Sequence, residues 1–120
     1  MTIKHIEMFS FQEGTTEEQI EQVKKELSDL PNAIPGLILS SEFGKDLGLD
    51  DSSPSLNPQE NAVADKHHQV SWEVCFASAE DYQAYKAHGK HVEFINKTLQ
   101  PIVASRSAVQ YEIPGEATFF

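Results

Sequence analysis

The chain has few of the features by which small proteins are most readily classified. Its single cysteine, Cys75, has no partner in this sequence for a disulfide and belongs to no paired-cysteine motif. No apolar run approaches the roughly 18 residues that a membrane-spanning helix requires. Lysine and arginine number only nine against nineteen acidic residues, and the net charge of -10 would repel a phosphate backbone or an anionic lipid surface. We therefore expect neither nucleic acid nor membrane as a partner.

Targeting signals and common catalytic motifs are missing as well. Charged residues such as Lys4, Glu7 and Glu13 interrupt the opening segment, unlike a secretory signal, so we expect a cytoplasmic protein. There is no glycine-rich phosphate loop and no G-x-S-x-G nucleophile motif. Because the chain has 120 residues, of which 39% are hydrophobic, we expect a single domain over residues 1–120.

Apolar periodicity predicts four strands and three helices. Thr15 and Glu18 match a capping box that begins the first helix, and Pro31 is expected to end it. A stretch rich in Gly, Asp, Ser and Pro predicts a long loop at about 45–66, interpreted either as a flap over a pocket or as a disordered insertion. The predicted strands cover residues 3–11, 37–44, 70–76 and 108–113, and the predicted helices cover about 16–30, 78–88 and 91–99.

This order of elements is typical of the α+β, ferredoxin-like split βαβ pattern, in which helices cover one face of an antiparallel sheet. We expect the other face, with Val, Phe and Trp side chains, to be exposed in a lone subunit. A second copy of the chain is the simplest cover. The sequence therefore predicts a homodimer in which two subunits form a dimeric α+β barrel.

Histidine and tyrosine are the candidate groups for chemistry. His5 lies on a mostly apolar strand face, where a hydrogen-bonded core histidine is the structural alternative to a functional one. Tyr85, His88 and His91 are spaced so that a phenol and two imidazoles can lie on one side of a helical junction. A His and Tyr pair suits proton transfer next to a carbonyl. A helix-capping role for His88 and His91 is the alternative.

Metal binding is a competing interpretation. His67 and His68, with Asp65, Asp50 or Asp51, offer mixed ligands. However, adjacent histidines on an extended segment point in opposite directions, and the spacing matches no known zinc site. We therefore expect no metal and no cofactor.

Two segments of the chain are similar to the stress-responsive dimeric A/B barrel family. IKHIEMFSFQEGTTEEQIEQV resembles the family's first strand and helix, and FASAEDYQAYKAHGKHVEF resembles its motif F-x-S-x-E-x-x-x-x-Y-x-x-H-P-x-H-V-x-F. The family includes plant stress-induced proteins and a plant polyketide cyclase. The resemblance implies that His5, Tyr85 and His91 are the catalytic residues, with His91 as general base and Tyr85 holding it or the developing oxygen.

The chain departs from the family pattern at two places. Gly89 replaces the proline of H-P-x-H, and Val70 stands nearest the position of the cyclase's third-strand histidine, which His68 would have to replace from two residues earlier. The leading hypothesis is a cofactor-independent cyclase or lyase acting on a small apolar, ketone-bearing or phenolic molecule. The alternatives are a non-catalytic stress-response dimer, for binding or structure, and a metal-dependent oxygenase-type barrel. The residues expected to line the substrate site are Phe9, Phe11, Trp72, Phe94, His68 and His88.

Overall fold

The predicted order of strands and helices is present in the structure, a computed structural model that describes residues 2–49, 54–57 and 69–114. The elements are β1 (Thr2–Phe11), α1 (Glu17–Ala33), β2 (Ile38–Lys45), β3 (Val70–Phe76), α2 (Ala79–Ala87), α3 (Gly89–Phe94), a π-helical turn (Ile95–Leu99) and β4 (Val103–Ile113). The sheet is antiparallel with strand order β2-β3-β1-β4. The prediction of a ferredoxin-like α+β fold is confirmed.

The two faces of the sheet differ from the prediction. Phe9, Trp72 and Phe76 are at most 2% exposed and belong to the core beneath the helices. The expectation that the Val, Phe and Trp face would be open is therefore wrong. The other face of β1 and β4 carries Met8 and Val109, which are 40% and 52% exposed. The physical reason is that the larger apolar side chains of alternating strands pack against the helices, where they lose the most contact with water.

Helix α1 begins one residue later than the capping box that the sequence suggested. The Thr16 hydroxyl accepts a hydrogen bond from the Gln19 backbone N–H at 3.2 Å, and the Thr16 backbone N–H donates one to Oε1 of Gln19 at 2.8 Å. Pro31 lies inside the helix, which continues to Ala33. A proline so near the end removes only one helical hydrogen bond, and the Ile34 N–H bonds to the Leu30 carbonyl at 2.8 Å to close the last turn.

Strand β4 is longer than predicted, because pairing along the whole of β1 extends it back to Val103, which lies opposite Phe11. Its first half contains small and polar residues of low strand propensity, so the pairing decides its conformation. As an edge strand, β4 is exposed along almost its entire length. The long loop predicted at about 45–66 lies mostly outside the described residues.

The core lies between the sheet and the apolar side of α1. Ile20, Val23, Leu27 and Leu30 recur at helical spacing and are at most 6% exposed. They join the buried side chains of β1 and β3 in one hydrophobic cluster. Beside α1, the rings of Tyr82 and Tyr85 on α2 contact Phe76 of β3, and the polar residues gather between these helices and the strands β1 and β4.

Candidate functional site

A cavity of about 450 Å³ lies between β1 and β4 on one side and α2, α3 and the π-helical turn on the other. Its floor is formed by buried residues, namely His5, Tyr85 and Leu99. Its mouth is formed by three exposed side chains, Lys86, Gln100 and Arg106. Between floor and mouth lie the partly buried residues Glu7, Tyr82, His91, Ile95 and Val103.

His5 is held at the floor by hydrogen bonds to both of its ring nitrogens. Its Nε2–H donates to Oε1 of Glu7 at 2.7 Å, and in the neutral ring Nδ1 accepts from the Gln110 side-chain amide at 2.8 Å. Glu7 follows His5 on the same strand face, and Gln110 lies opposite His5 on β4. The His5 ring also contacts Tyr82, with centroids 5.1 Å apart. Because both nitrogens are engaged, His5 orients its neighbours and has no nitrogen free for proton exchange.

Tyr85 and His91 form a second pair on the helical side, with ring centroids 4.5 Å apart. The Nδ1–H of His91 donates to the backbone carbonyl of Lys86 at 3.2 Å. This hydrogen bond fixes the tautomer in which Nε2 carries the lone pair. His91 therefore offers an unprotonated nitrogen next to the Tyr85 phenol.

Burial shifts the pKa values of His91 and Tyr85 in opposite directions. Burial lowers the pKa of His91, and its hydrogen bond to the Lys86 carbonyl offsets only part of that effect. Burial also raises the pKa of Tyr85 well above its ordinary value. At neutral pH the imidazole is therefore a neutral base and the phenol keeps its proton, which is the division that acid–base catalysis requires.

The indole of Trp72 lies next to this pair. Its N–H favours the ionised form of Tyr85 and opposes part of the rise in the pKa of that phenol. The contact falls short of hydrogen-bond geometry, because Trp72 Nε1 is buried without a partner among the described residues. A short approach of the two side chains would satisfy the indole donor.

Glu7 is the acidic member of the cavity. Its burial raises the pKa of the carboxyl group, but the hydrogen bond from His5, together with Arg106, outweighs the burial, so the pKa lies below its ordinary value. Arg106 reaches Oε1 of Glu7 through Nη2 at 3.4 Å. Glu7 is therefore a carboxylate at neutral pH.

The structure brings the three predicted catalytic residues, His5, Tyr85 and His91, to one cavity. The shape of α3 contributes to this arrangement. After Phe94 the helix passes into the π-helical turn, where the Gln100 N–H bonds to the Ile95 carbonyl at 2.8 Å, and this turn lines the cavity. Single π-helical turns within helices are frequent at functional sites.

Most of the residues expected to line the substrate site lie elsewhere. Phe9, Trp72 and Phe94 belong to the packed core, where apolar contacts stabilise them, and do not line the cavity. Phe11 borders a different cavity of about 640 Å³ beside Ile20 and Val70. This is a correction to the predicted wall, which consists instead of Ile95, Leu99 and Val103 together with the polar groups.

His88 also lies outside the cavity lining. It caps α3, because its Nδ1 accepts a hydrogen bond from the Lys90 backbone N–H at 3.1 Å. The structural alternative of a helix cap is therefore correct for His88. Gly89 occupies the first position of α3, where the family motif has proline, a residue well suited to that position.

His68 and the other possible metal ligands, His67, Asp65, Asp50 and Asp51, lie outside the described residues. Within ranges 2–49, 54–57 and 69–114 there is no group of three or more His, Cys, Asp or Glu side chains placed to hold a metal ion. Of the helices in these ranges, none combines the length and the hydrophobicity needed to cross a membrane.

Sequence reasoning did not assign four of the side chains at the site, namely Tyr82, Lys86, Arg106 and Gln110. Glu7 lies two residues after His5 in the predicted strand 3–11, so strand alternation places it on the same face. The register between β1 and β4, which brings Arg106 and Gln110 to that face, is set by tertiary pairing. Tyr82 precedes Tyr85 by about one helical turn, and this spacing indicates that the two phenols lie on the same side of the helix.

The chain belongs to the stress-responsive A/B barrel domain family, whose model matches residues 3–113. A dimeric ferredoxin-like protein of unknown function from Thermobifida fusca YX is 32% identical to it, with 92% of this chain and 90% of that chain covered and a TM-score of 0.71. A protein from Arabidopsis thaliana is 25% identical, with coverages of 98% and 99% and a TM-score of 0.73.

A hydroxynitrile lyase from Passiflora edulis has the same fold, with 22% identity, coverages of 98% and 96% and a TM-score of 0.74. A search of curated proteins found no match. These comparisons establish the family and the fold. The chemistry of the cavity is a separate question.

Proposed function

We propose that this protein is a cofactor-independent enzyme of the cyclase or lyase type, which moves a proton next to a carbonyl group in the cavity above His5. The observation that carries the proposal is the convergence of His5, Tyr85 and His91 on one cavity of about 450 Å³. A hydroxynitrile lyase on the same fold, at 22% identity, is consistent with lyase chemistry on this scaffold.

The proposed step begins with a ketone whose α carbon faces Nε2 of His91. The C–H bond breaks, its proton goes to that nitrogen, and its electron pair forms the enolate. Tyr85 donates a hydrogen bond to the developing oxygen and keeps its proton. In a cyclase the enolate carbon then attacks a second carbonyl of the same molecule, the π bond of that carbonyl breaks, and the resulting alkoxide takes the proton back from the His91 imidazolium. His5, held by Glu7 and Gln110, forms the part of the cavity floor that faces the substrate.

The apolar wall and the volume of the cavity set the substrate class. A volume of about 450 Å³ lies within the range of roughly 300–1,000 Å³ that is typical of small-molecule sites. Ile95, Leu99 and Val103 form the apolar part of the lining. A small, partly apolar, ketone-bearing or phenolic compound such as a short polyketide fits this description.

The proposal includes a homodimer. The open sheet face carries Met8, Val109 and Tyr111, each at least 40% exposed, on the two neighbouring strands β1 and β4. A contiguous apolar surface of this kind favours burial against a second copy. The Thermobifida fusca relative is described as dimeric.

The test uses hydrogen–deuterium exchange in D2O at the methyl group of acetophenone and of other small aryl and alkyl ketones, followed by NMR. The wild-type protein should accelerate exchange for at least one ketone of the panel. His91→Ala should lower the rate by about 10²- to 10⁴-fold because it removes the base, and Tyr85→Phe should lower it at an unchanged fold because it removes the hydrogen-bond donor to the enolate oxygen. His88→Asn is the matched control, because asparagine keeps the helix cap while removing an imidazole that is not in the cavity.

The structural alternative gives a different result. In a non-catalytic dimer no ketone of the panel would exchange faster with protein than without it, and His91→Ala would change only the stability. That outcome, or equal rates for His91→Ala and wild type, would contradict the proposed function.

A further inference from the structure

The cavity is positively charged at its mouth although the chain as a whole carries a net charge of -10. Its lining contains two cationic side chains, Lys86 and Arg106, and one carboxylate, Glu7. Both cations are exposed residues at the mouth, whereas Glu7 lies deeper and is only 14% exposed. An excess of positive charge at the entrance of a pocket on an acidic protein selects anions over neutral molecules.

Arg106 retains most of its hydrogen-bonding capacity. Its only ion pair among the described residues is with Glu7, through Nη2 at 3.4 Å, and its side chain is 54% exposed. A guanidinium has five N–H donors, and a carboxylate in good geometry takes two of them at a shorter distance. Arg106 is therefore free to bind a second carboxylate from the solvent side.

Lys86 approaches the same region from the helix. Its Nζ lies 5.4 Å from the centre of the Tyr82 ring, and it makes no ion pair with the acidic residues that the structure describes. Arg106 lines the same cavity as Tyr82. Burial and the charge of Glu7 raise the pKa of the Tyr82 phenol, and the charge of Arg106 offsets part of that rise. The two cations thus border the same tyrosine from the strand side and the helix side.

We propose that the substrate carries a carboxylate, which binds between Arg106 and Lys86 at the mouth while the reacting carbonyl lies at Tyr85 and His91. This inference rests on the proposed function, because it identifies the substrate class of the same cavity. Arg106 and Lys86 then determine the substrate specificity, whereas His91 and Tyr85 carry out the enolisation.

Glu7 has a defined part in this arrangement. It competes with the substrate for Arg106 and repels an incoming anion. Glu7→Gln keeps an oxygen acceptor for His5 and removes the negative charge. We therefore expect this variant to bind anions more tightly than the wild type, which is the opposite of the effect of Arg106→Gln.

The experiment compares 4-acetylbenzoate with 4-acetylbenzamide, two ketones of similar shape that differ in charge. Dissociation constants are measured by isothermal titration calorimetry at low and at high salt. Wild type should bind the benzoate about tenfold more tightly, as expected for one charge-assisted hydrogen bond, and high salt should reduce this preference. Arg106→Gln and Lys86→Gln should each remove most of the preference, because each weakens the binding of the benzoate.

Lys90→Gln is the matched control, since Lys90 is exposed close to Lys86 in sequence but does not line the cavity. It should keep the preference. Equal affinity of the wild type for the two probes, or a preference that survives in both Arg106→Gln and Lys86→Gln, would overturn the inference.

Exchange at the acetyl methyl group of both probes separates this inference from the proposed function. A benzoate preference without exchange on either probe supports the anion site and contradicts the enzyme. Exchange on both probes with equal affinities supports the enzyme and contradicts the anion site.

Discussion

The hydrogen bond between His5 and Glu7 should contribute measurably to stability, and a double-mutant cycle can isolate it. The Nε2–H of His5 lies 2.7 Å from Oε1 of Glu7, and the two side chains are 3% and 14% exposed. The cycle compares His5→Leu, Glu7→Leu and the double variant with the wild type. The free energy of unfolding is measured for each in urea at pH 7 and at one protein concentration, because a dimer's stability depends on concentration.

The burial of the pair sets the expected magnitude. Removing one partner leaves the other polar group partly buried without its hydrogen bond, which costs about 1–3 kcal/mol. Replacing both by apolar groups leaves neither group without its hydrogen-bond partner. The double variant should therefore lose less free energy of unfolding than the sum of the two single variants. We therefore expect a coupling free energy of about 1–3 kcal/mol.

The ion pair between Glu21 and Lys45 is the control. Its 2.6 Å distance is as short, but its side chains are 56% and 39% exposed, so water competes for both groups. Its coupling should be clearly smaller than that of His5 with Glu7. If the two cycles gave equal coupling, burial would not be the source of the strength of the His5 pair, and the reasoning would be refuted.

Three further predictions follow from other parts of the molecule. Burial lowers the pKa of His91 below 6.5, so ketone exchange should persist to a pH below 6.5, and an acid midpoint of the exchange rate at or above 6.5 would contradict this. Any stability from this group should be lost as the pH falls from 6.5 through the lower pKa of the folded state. Thr98→Val should lower the free energy of unfolding by about 1 kcal/mol, measured in urea, because the Thr98 hydroxyl donates to the Glu26 carboxylate at 2.8 Å. Val109→Lys should produce a monomer in analytical ultracentrifugation, whereas an unchanged mass would argue against the open sheet face as the interface.

The periodicity of apolar residues, alternating in strands and recurring every three to four residues in helices, was sufficient to predict most of the fold. It placed β3 at residues 70–76, the observed bounds, and it gave the correct order of all elements. The errors occurred where tertiary contacts override local signals. Helix α1 passes through Pro31, since the packing of its apolar side outweighs one lost hydrogen bond, and β4 begins at Val103 because β1 offers a partner along its full length.

The candidate site was predictable only in part. The spacing of Tyr85 and His91 on one helical junction is local information, and it placed these two residues together. The role of His88 as a cap depends on the backbone geometry at Gly89, which the sequence leaves open between a cap and a cavity residue. The partners of His5 come from the pairing of β1 with β4, a contact between residues about 100 positions apart.

The position of the cavity follows from how β1 divides its helix-side face. Toward its end, Phe9 and Phe11 join the apolar cluster with the buried side of α1 and with Trp72. Toward its start, the same face carries His5 and Glu7, which are stable under a protein layer only with polar partners. Those partners come from an edge strand that is itself exposed, so the space beneath α2 is lined with hydrogen-bonded polar groups rather than filled by apolar ones. The change from Phe9 to Glu7 along one strand therefore separates the part of the sheet that stabilises the fold from the part that can bind a ligand.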